Sequence, residues 1–185
     1  MRSLEVVTRL ERVPPHRRRD GWLHHPAVRL SSTALLVASL ALVFAVAAVG
    51  GLASASGLRD WYDSLEKAPW NPPDWVFGPA WTFLYALMAV AAWLVARTGL
   101  DKTSVRTALV LYVSQLALNL AWSLLFFAAR SPGWALVDIV VLDVLVAVTL
   151  LAFWRIEPVA GCLLLPYLAW IVFATSLNTW VVMRN

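Results

Sequence analysis

The sequence predicts an all-α fold, an integral membrane bundle of five transmembrane helices. Hydrophobic residues make up 61% of the chain and charged residues only 14%, whereas apolar residues are about half of a soluble domain. The apolar residues are gathered into five stretches, each long enough to cross the hydrocarbon layer as a helix. Because a lipid-exposed backbone must satisfy its hydrogen bonds internally, long apolar stretches favour helices.

Residues 1–30 form a basic segment ahead of the first apolar stretch. They hold seven Arg, three His and three Pro. We expect a disordered cytoplasmic tail here, followed by the membrane domain at 31–185. The net charge of +4 could also indicate nucleic acid as a partner. However, the basic residues are concentrated at one end without a nucleic-acid motif, which fits membrane orientation better.

The spanning segments are predicted from the apolar runs and the residues that interrupt them. The first run ends in Ala-Ser-Ala, like a signal-peptidase site, but it has the length of a spanning helix. Pro79 is expected in the first turn of the second helix, where its missing N–H costs no helical hydrogen bond. The short later connections make neighbouring helices antiparallel, in one bundle without a second domain. The predicted spans are 33–55, 79–97, 104–128, 134–154 and 158–183.

A Trp- and Pro-rich stretch at 58–78, called the lid below, separates the first two spans. Pro69, Pro72, Pro73 and Pro79 disfavour helix, so the segment before Pro79 should be ordered but not helical. Its aromatic residues allow two interpretations. They could form a belt at the membrane surface, or they could fold over a pocket and present flat faces to a flat ligand.

The distribution of Lys and Arg predicts the orientation. With the N-terminus inside, eleven of the 15 Lys and Arg lie on the inner side and four on the outer side. The positive-inside rule therefore predicts a cytoplasmic N-terminus and an outer lid.

Three polar or aromatic residues of the third span share one helix face, at intervals of four and three residues. They are Gln115, Asn119 and Trp122. A polar group at membrane depth is costly and needs a role. This face could contact a ligand, or it could hydrogen-bond to neighbouring helices.

The fourth span carries two carboxyl groups, Asp138 and Asp143. Five residues rotate a helix by roughly 140°, so these groups are not a catalytic pair. Trp134, Asp138 and Val141 are predicted to form an inward stripe. Asp143 is expected to be neutral or paired with a residue that the sequence does not identify.

The fifth span repeats the pattern, with Trp170, Ala174 and Leu177 on one face and Asn178 beside them. The small Ala174 could leave room for a ligand or admit a neighbouring helix. Cys162 is the one cysteine, so an internal disulfide is excluded and a buried thiol is expected. All three His lie in the tail, and the sequence predicts no metal site.

Several of these motifs, taken together, resemble the tryptophan-rich sensory and translocator proteins, the TspO/MBR family. The resemblance covers about 58–185. It is carried by LRDWYDSLEKAPWNPPDW in the lid, PAWTFLY in the second span, QLALNLAWSLLFF in the third, GWALVD in the fourth and PYLAWIVFATSLN in the fifth.

The resemblance implies a five-helix protein, often a homodimer in membrane lipid, and here of the bacterial cell membrane. It implies a receptor or transporter that binds porphyrins, protoporphyrin IX or haem, with no cofactor required. The implied binding residues are Tyr62, Phe77, Pro79, Trp81, Asn119, Trp134, Asp138, Trp170, Ala174 and Leu177.

Two alternatives stay open beside porphyrin binding. Some bacterial members are linked to light- and oxygen-dependent porphyrin breakdown, for which the resemblance implies Trp81 and Trp170 as catalytic residues. A regulatory role through partner proteins is the other alternative. The sterol motif of animal members needs a Tyr after Leu177 and Asn178, and this chain departs from that motif because it has Thr179 there.

Overall fold

The computed structural model describes residues 31–55 and 59–185, with side chains described except at 53–55 and 59–60. The predicted tail at 1–30 lies outside the described residues. Five of the described helices are long and apolar enough to span a membrane, which confirms the predicted fold class. The helices are α1 (Ser32–Ala55), α2 (Arg59–Ser64), α3 (Asp74–Ala96), α4 (Thr103–Ser123), α5 (Pro132–Ile156) and α6 (Pro158–Arg184).

The start of α3 differs from the prediction, because the helix begins at Asp74 and contains Pro79. A proline is restricted in a helix partly by a clash with the Cβ of the preceding residue. Gly78 has no Cβ, so this clash is absent. The segment before Pro79 is therefore helical over its last five residues, and the short α2 lies upstream of the lid prolines. Only 65–73 of the lid follows the non-helical prediction.

The five long helices form a closed ring in the order α1, α3, α6, α5 and α4. The consecutive pairs α4–α5 and α5–α6 are neighbours in this ring, as their short connections predict. α3 is the most buried of the five helices, and Met88, Ala89 and Ala91 are fully inaccessible. Small residues let α3 approach its neighbours closely. On α1, by contrast, Val43 is the one buried residue among the described side chains.

The last turn of α4 changes its winding at Leu124–Ala128, which form a π-helical turn. The amide of Ala129 donates to the carbonyl of Leu124 at 2.8 Å, five residues back. Such wider turns rotate the following side chains relative to an α-helix and are frequent at functional sites.

Two predictions about buried residues are wrong. Trp134 and Val141 are 68% and 52% exposed, so the predicted stripe on α5 faces outward at these positions. Lipid tails are as apolar as the bundle interior, so an apolar helix face does not reveal which way it points. Cys162 is also exposed, on the surface of α6.

Candidate functional site

A cavity of about 490 Å³ lies at the lid end of the ring. Its volume is within the range of about 300–1,000 Å³ that is usual for small-molecule sites. α1, α3, α4 and α6 contribute its walls together with the lid, whereas α5 contributes none of the lining residues. The described lining residues are Phe44, Ala47, Gly50, Gly51, Tyr62, Asn71, Asp74, Phe77, Gly78, Trp81, Thr82, Tyr85, Trp122, Ser123, Phe126, Phe127, Trp170, Ala174, Leu177, Asn178 and Val181.

The wall on α3 is a row of rings at four-residue spacing. Phe77, Trp81 and Tyr85 lie one above the other because residues four apart share a helix face. Trp81 stacks on Tyr85 with ring centroids 5.3 Å apart. This row presents flat apolar faces to the cavity.

The wall on α6 meets this row edge to face. Trp170 lies with its ring centroid 6.4 Å from Trp81 and 5.9 Å from Phe77. Ala174 and Leu177 continue the wall beyond Trp170. Edge-to-face contacts of this kind stabilise aromatic pairs by about 0.5–1.5 kcal/mol beyond their burial, so the cavity has a rigid aromatic corner.

The π-helical turn of α4 supplies the wall beneath the lid. Phe126 and Phe127 both belong to this turn and both line the cavity. Tyr62 packs edge-on against the two rings, at centroid distances of 6.2 and 5.8 Å. Burial raises the pKa of the Tyr62 phenol above its ordinary value, so this residue is neutral at physiological pH. The ammonium of Lys67 covers the ring of Tyr62 at 4.2 Å.

The lid is fastened to the end of α6 by aromatic and polar contacts. Trp70 packs edge-on against Trp180 at 5.2 Å, and its indole N–H donates to Ser176 Oγ at 3.4 Å. The amide of Glu66 donates to Asn185 Oδ1 at 3.0 Å. These contacts hold the lid over the cavity. The exposed rings of Trp70 and Trp75 also fit the surface-belt interpretation.

A chain of buried hydrogen bonds lies behind the aromatic row. The hydroxyl of Tyr85 donates to Asn119 Oδ1 at 2.8 Å, and Asn119 Nδ2 donates to the Tyr167 oxygen at 3.3 Å. The Tyr167 hydroxyl in turn donates to Gln115 Oε1 at 2.8 Å. For Gln115 and Asn119, interhelical hydrogen bonding is therefore the interpretation that the structure supports.

A second polar contact ties together three helices beside the cavity. The indole N–H of Trp122 donates to Asn178 Oδ1 at 3.0 Å, and Asn178 Nδ2 donates to the Pro132 carbonyl at 2.9 Å. These polar groups satisfy one another, so the cavity lining remains mostly apolar in character.

Six of the ten residues implied by the resemblance line the cavity together: Tyr62, Phe77, Trp81, Trp170, Ala174 and Leu177. The other four do not line it. Pro79 is exposed on α3, and Asn119 lies behind Tyr85. Trp134 and Asp138 belong to α5, which does not reach the cavity.

Several lining residues were not proposed from the sequence. Tyr85 could have been found from its four-residue spacing after Trp81, and Phe126 from the same spacing after Trp122, which the sequence had placed on a face that could contact a ligand. Phe127 carried no such signal, because a π-helical turn changes the periodicity on which the prediction depends. Asp74 was missed because α3 was expected to begin after it.

The two carboxyl groups of α5 lie apart from the cavity. Asp143 accepts a hydrogen bond from Thr175 Oγ1 at 2.9 Å, which identifies the partner that the sequence left open. Oδ2 of Asp138 is buried and has no hydrogen-bond partner among the described residues.

Comparison with known proteins agrees with this architecture. The family model described as TspO/MBR matches residues 39–184. The chain is 41% identical over 150 residues to the tryptophan-rich protein TspO of Chlorobaculum tepidum, covering 81% of this chain and 95% of that protein.

Relatives from a bacterium and an animal are similar in the same way. The tryptophan-rich sensory protein of Cereibacter sphaeroides is 42% identical over 145 residues, or 78% of this chain and 87% of that protein. The translocator protein of Homo sapiens is 47% identical over 124 residues, or 66% and 72%. A family match over most of the chain, together with five spanning helices, shows that this protein is an integral multi-pass membrane protein of the TspO/MBR family.

Proposed function

We propose that the protein is a membrane receptor or transporter that binds a porphyrin in the cavity beneath the lid. The observation that carries this proposal is the aromatic corner formed by Phe77, Trp81 and Trp170, closed from above by Tyr62. Flat apolar walls with few uncommitted polar groups suit a large planar aromatic ligand. The names of the relatives, translocator protein and sensory protein, support transport or sensing as the role of such binding.

Metal-free protoporphyrin IX is the more informative probe, with haem second. Haem iron is usually held by His, Cys, Met or Tyr, and the described lining contains none of the first three. Of its two tyrosines, Tyr85 already donates its hydroxyl proton to Asn119. The cavity therefore favours recognition of the ring system over coordination of iron.

The membrane setting is part of the proposal. We place the N-terminus in the cytoplasm of a bacterial cell and the lid outside, because Lys and Arg are concentrated on the side opposite the lid. The cavity then opens toward the outer surface, where a porphyrin from outside the cell or from the outer leaflet could reach it.

The test is a titration of the detergent-purified protein with protoporphyrin IX, followed by the Soret absorbance and by quenching of tryptophan fluorescence. The cavity variant is Trp81→Phe with Trp170→Phe. Loss of two indole contacts of about 0.5–1.5 kcal/mol each should weaken binding by about 5- to 150-fold.

A matched control carries the same chemical change outside the cavity. Trp134 and Trp154 are both exposed on α5, so replacing both by Phe should leave the dissociation constant unchanged. Linear quenching that is identical in the parent and both variants would mean that the porphyrin dissolves in the micelle. That result would overturn the proposal and favour a regulatory role through partner proteins.

Light-dependent porphyrin breakdown is the second candidate function. It is favoured by the proximity of two oxidisable indoles, Trp81 and Trp170, whose rings lie 6.4 Å apart at the cavity wall. A porphyrin excited by light would take an electron from an indole and pass it to dioxygen. The indole radical would regain an electron from the porphyrin, and the oxidised ring would combine with the reduced oxygen and open, so that dioxygen is the oxidant overall. Loss of the Soret band in light and air, but neither in the dark nor without oxygen, would separate breakdown from binding.

A further inference from the structure

Asp74 is the one formally charged residue among the described residues that line the cavity. It is the first residue of α3, and it is exposed at the lid end. We propose that Asp74 is a specificity-determining residue that disfavours ligand carboxylates at the cavity mouth. The cavity then prefers a flat tetrapyrrole whose edge near α3 is uncharged or esterified. This inference rests on the proposed function and narrows its ligand class.

The negative charge of Asp74 lies at the N-terminus of α3, where the helix dipole alone would give a partial positive charge. The N-terminus of a helix carries a positive charge equivalent to roughly half an elementary charge, and it attracts anions. Without Asp74, the start of α3 would therefore favour a propionate of a bound porphyrin. A full negative charge in the first turn outweighs this partial charge, so the mouth becomes negative at this point.

The described cations that contact the lid are already paired with carboxylates. The ammonium of Lys67 lies 2.9 Å from Asp63 Oδ1. Arg184 lies 3.7 Å from Glu66 Oε1, and its guanidinium covers the ring of Trp180 at 4.8 Å. Neither cation lines the cavity. The charges of Lys67 and Asp74 attract each other, but Lys67 is already paired with Asp63, so these three groups together keep a net negative charge.

One N–H of each side-chain amide in the cavity is also engaged elsewhere. Asn71 Nδ2 donates to the Pro72 carbonyl at 3.0 Å, and Asn178 Nδ2 donates to the Pro132 carbonyl. A carboxylate needs N–H or O–H donors to replace its hydration. A ligand carboxylate in this cavity would meet the Asp74 charge with few donors in compensation, whereas an ester needs none.

The experiment compares protoporphyrin IX with its dimethyl ester on the parent and on Asp74→Asn. Two like charges several Å apart at a solvated mouth repel by an amount that corresponds to roughly a three- to tenfold change in affinity. We expect Asp74→Asn to bind the diacid more tightly by this factor and to bind the ester as the parent does. The dissociation constant of the diacid divided by that of the ester is then smaller for Asp74→Asn than for the parent. Partitioning of each ligand into the micelle is the same for both proteins, so it cancels when their ratios are compared.

Asp101→Asn is the matched control, because Asp101 is an exposed carboxylate in the connection between α3 and α4, at the opposite end of the ring. The ratio of the dissociation constants of the diacid and the ester should be the same for Asp101→Asn as for the parent. An unchanged ratio in Asp74→Asn, with saturable binding of either ligand, would overturn this inference and leave the proposed function standing. Saturation by neither ligand in the parent would overturn both.

Discussion

For two buried tyrosines, the structure predicts different effects of a Tyr→Phe substitution on the free energy of unfolding. Tyr85 and Tyr112 are 6% and 2% exposed. The Tyr85 hydroxyl donates to Asn119 Oδ1 at 2.8 Å, whereas the Tyr112 hydroxyl has no hydrogen-bond partner among the described residues. Replacing each tyrosine by Phe removes one oxygen atom from a buried site, so the difference between the two variants isolates the hydrogen bond.

The expected change in the free energy of unfolding depends on whether the variant leaves a buried polar atom without its partner. Interhelical hydrogen bonds in a membrane contribute about 0.6 kcal/mol on average and up to about 1.7. A buried polar atom without its partner costs about 1–3 kcal/mol. Tyr85→Phe strands the Asn119 oxygen, and we expect a loss of about 1–3 kcal/mol. Tyr112→Phe removes a hydroxyl that is already unpaired, and we expect no loss or a small gain.

The free energy of unfolding can be measured by titrating the protein from mild detergent into mixed micelles with dodecyl sulfate, followed by circular dichroism. Asn119→Leu completes a double-mutant cycle with Tyr85→Phe, in which the coupling energy should be about 0.6–1.7 kcal/mol. Equal losses for the two Tyr→Phe variants, or a coupling energy near zero, would refute the assignment of this hydrogen bond as a stabilising contact.

Two further predictions concern packing and the lid. An ideal Cβ at Gly161 would lie 2.8 Å from Trp154 Cβ and 2.9 Å from its Cα, whereas one at Gly133 meets nothing within 4 Å. Gly161→Ala should therefore be less stable than Gly133→Ala by about 1–3 kcal/mol in the same unfolding assay. Equal stabilities of the two variants would contradict the close approach of α5 and α6. Because burial raises the pKa of Tyr62, its contribution to closing the lid is fully present below the ordinary tyrosine value of about 10 and is lost as the pH rises through the raised value. The phenolate absorbance that Tyr62→Phe abolishes should titrate above pH ~10, and proteolysis of the lid should increase over the same pH interval in the parent but not in the variant.

The number of spanning helices and most of their bounds could be predicted from the sequence. Membrane thickness fixes the length of each apolar run, and the backbone in lipid must close its own hydrogen bonds. The exception was the start of α3. The prediction treated Pro79 as a first-turn residue, but Gly78 has no Cβ to clash with the proline ring, and the helix begins immediately after Pro73.

The candidate site was predictable on α3 and α6 and not on α5. The resemblance implied Trp81 on α3 and Trp170 on α6, and both line the cavity. On α6 the small Ala174, about one turn after Trp170, also indicated this face. On α5, Trp134 stands one turn from Asp138 and gave the same signal, yet it faces outward. Lipid and protein interior are equally apolar, so only the pairing of each helix with its neighbours distinguishes the two faces.

The cavity arises where small residues face large rings at the lid end of the ring. Gly50 and Gly51 on α1 and Ala174 on α6 line the same space as Trp81, and an added Cβ at Gly51 would meet nothing within 4 Å. Protein interiors normally pack without such gaps.

At the other end of the ring large aromatic side chains fill the interior. Tyr112 stacks on Phe153 with ring centroids 5.7 Å apart, and both rings are buried. At the lid end, Gly50, Gly51 and Ala174 face the space that large rings fill at the opposite end. The space that could hold a planar ligand is therefore determined by small side chains on α1 and α6 as much as by the rings that would contact the ligand.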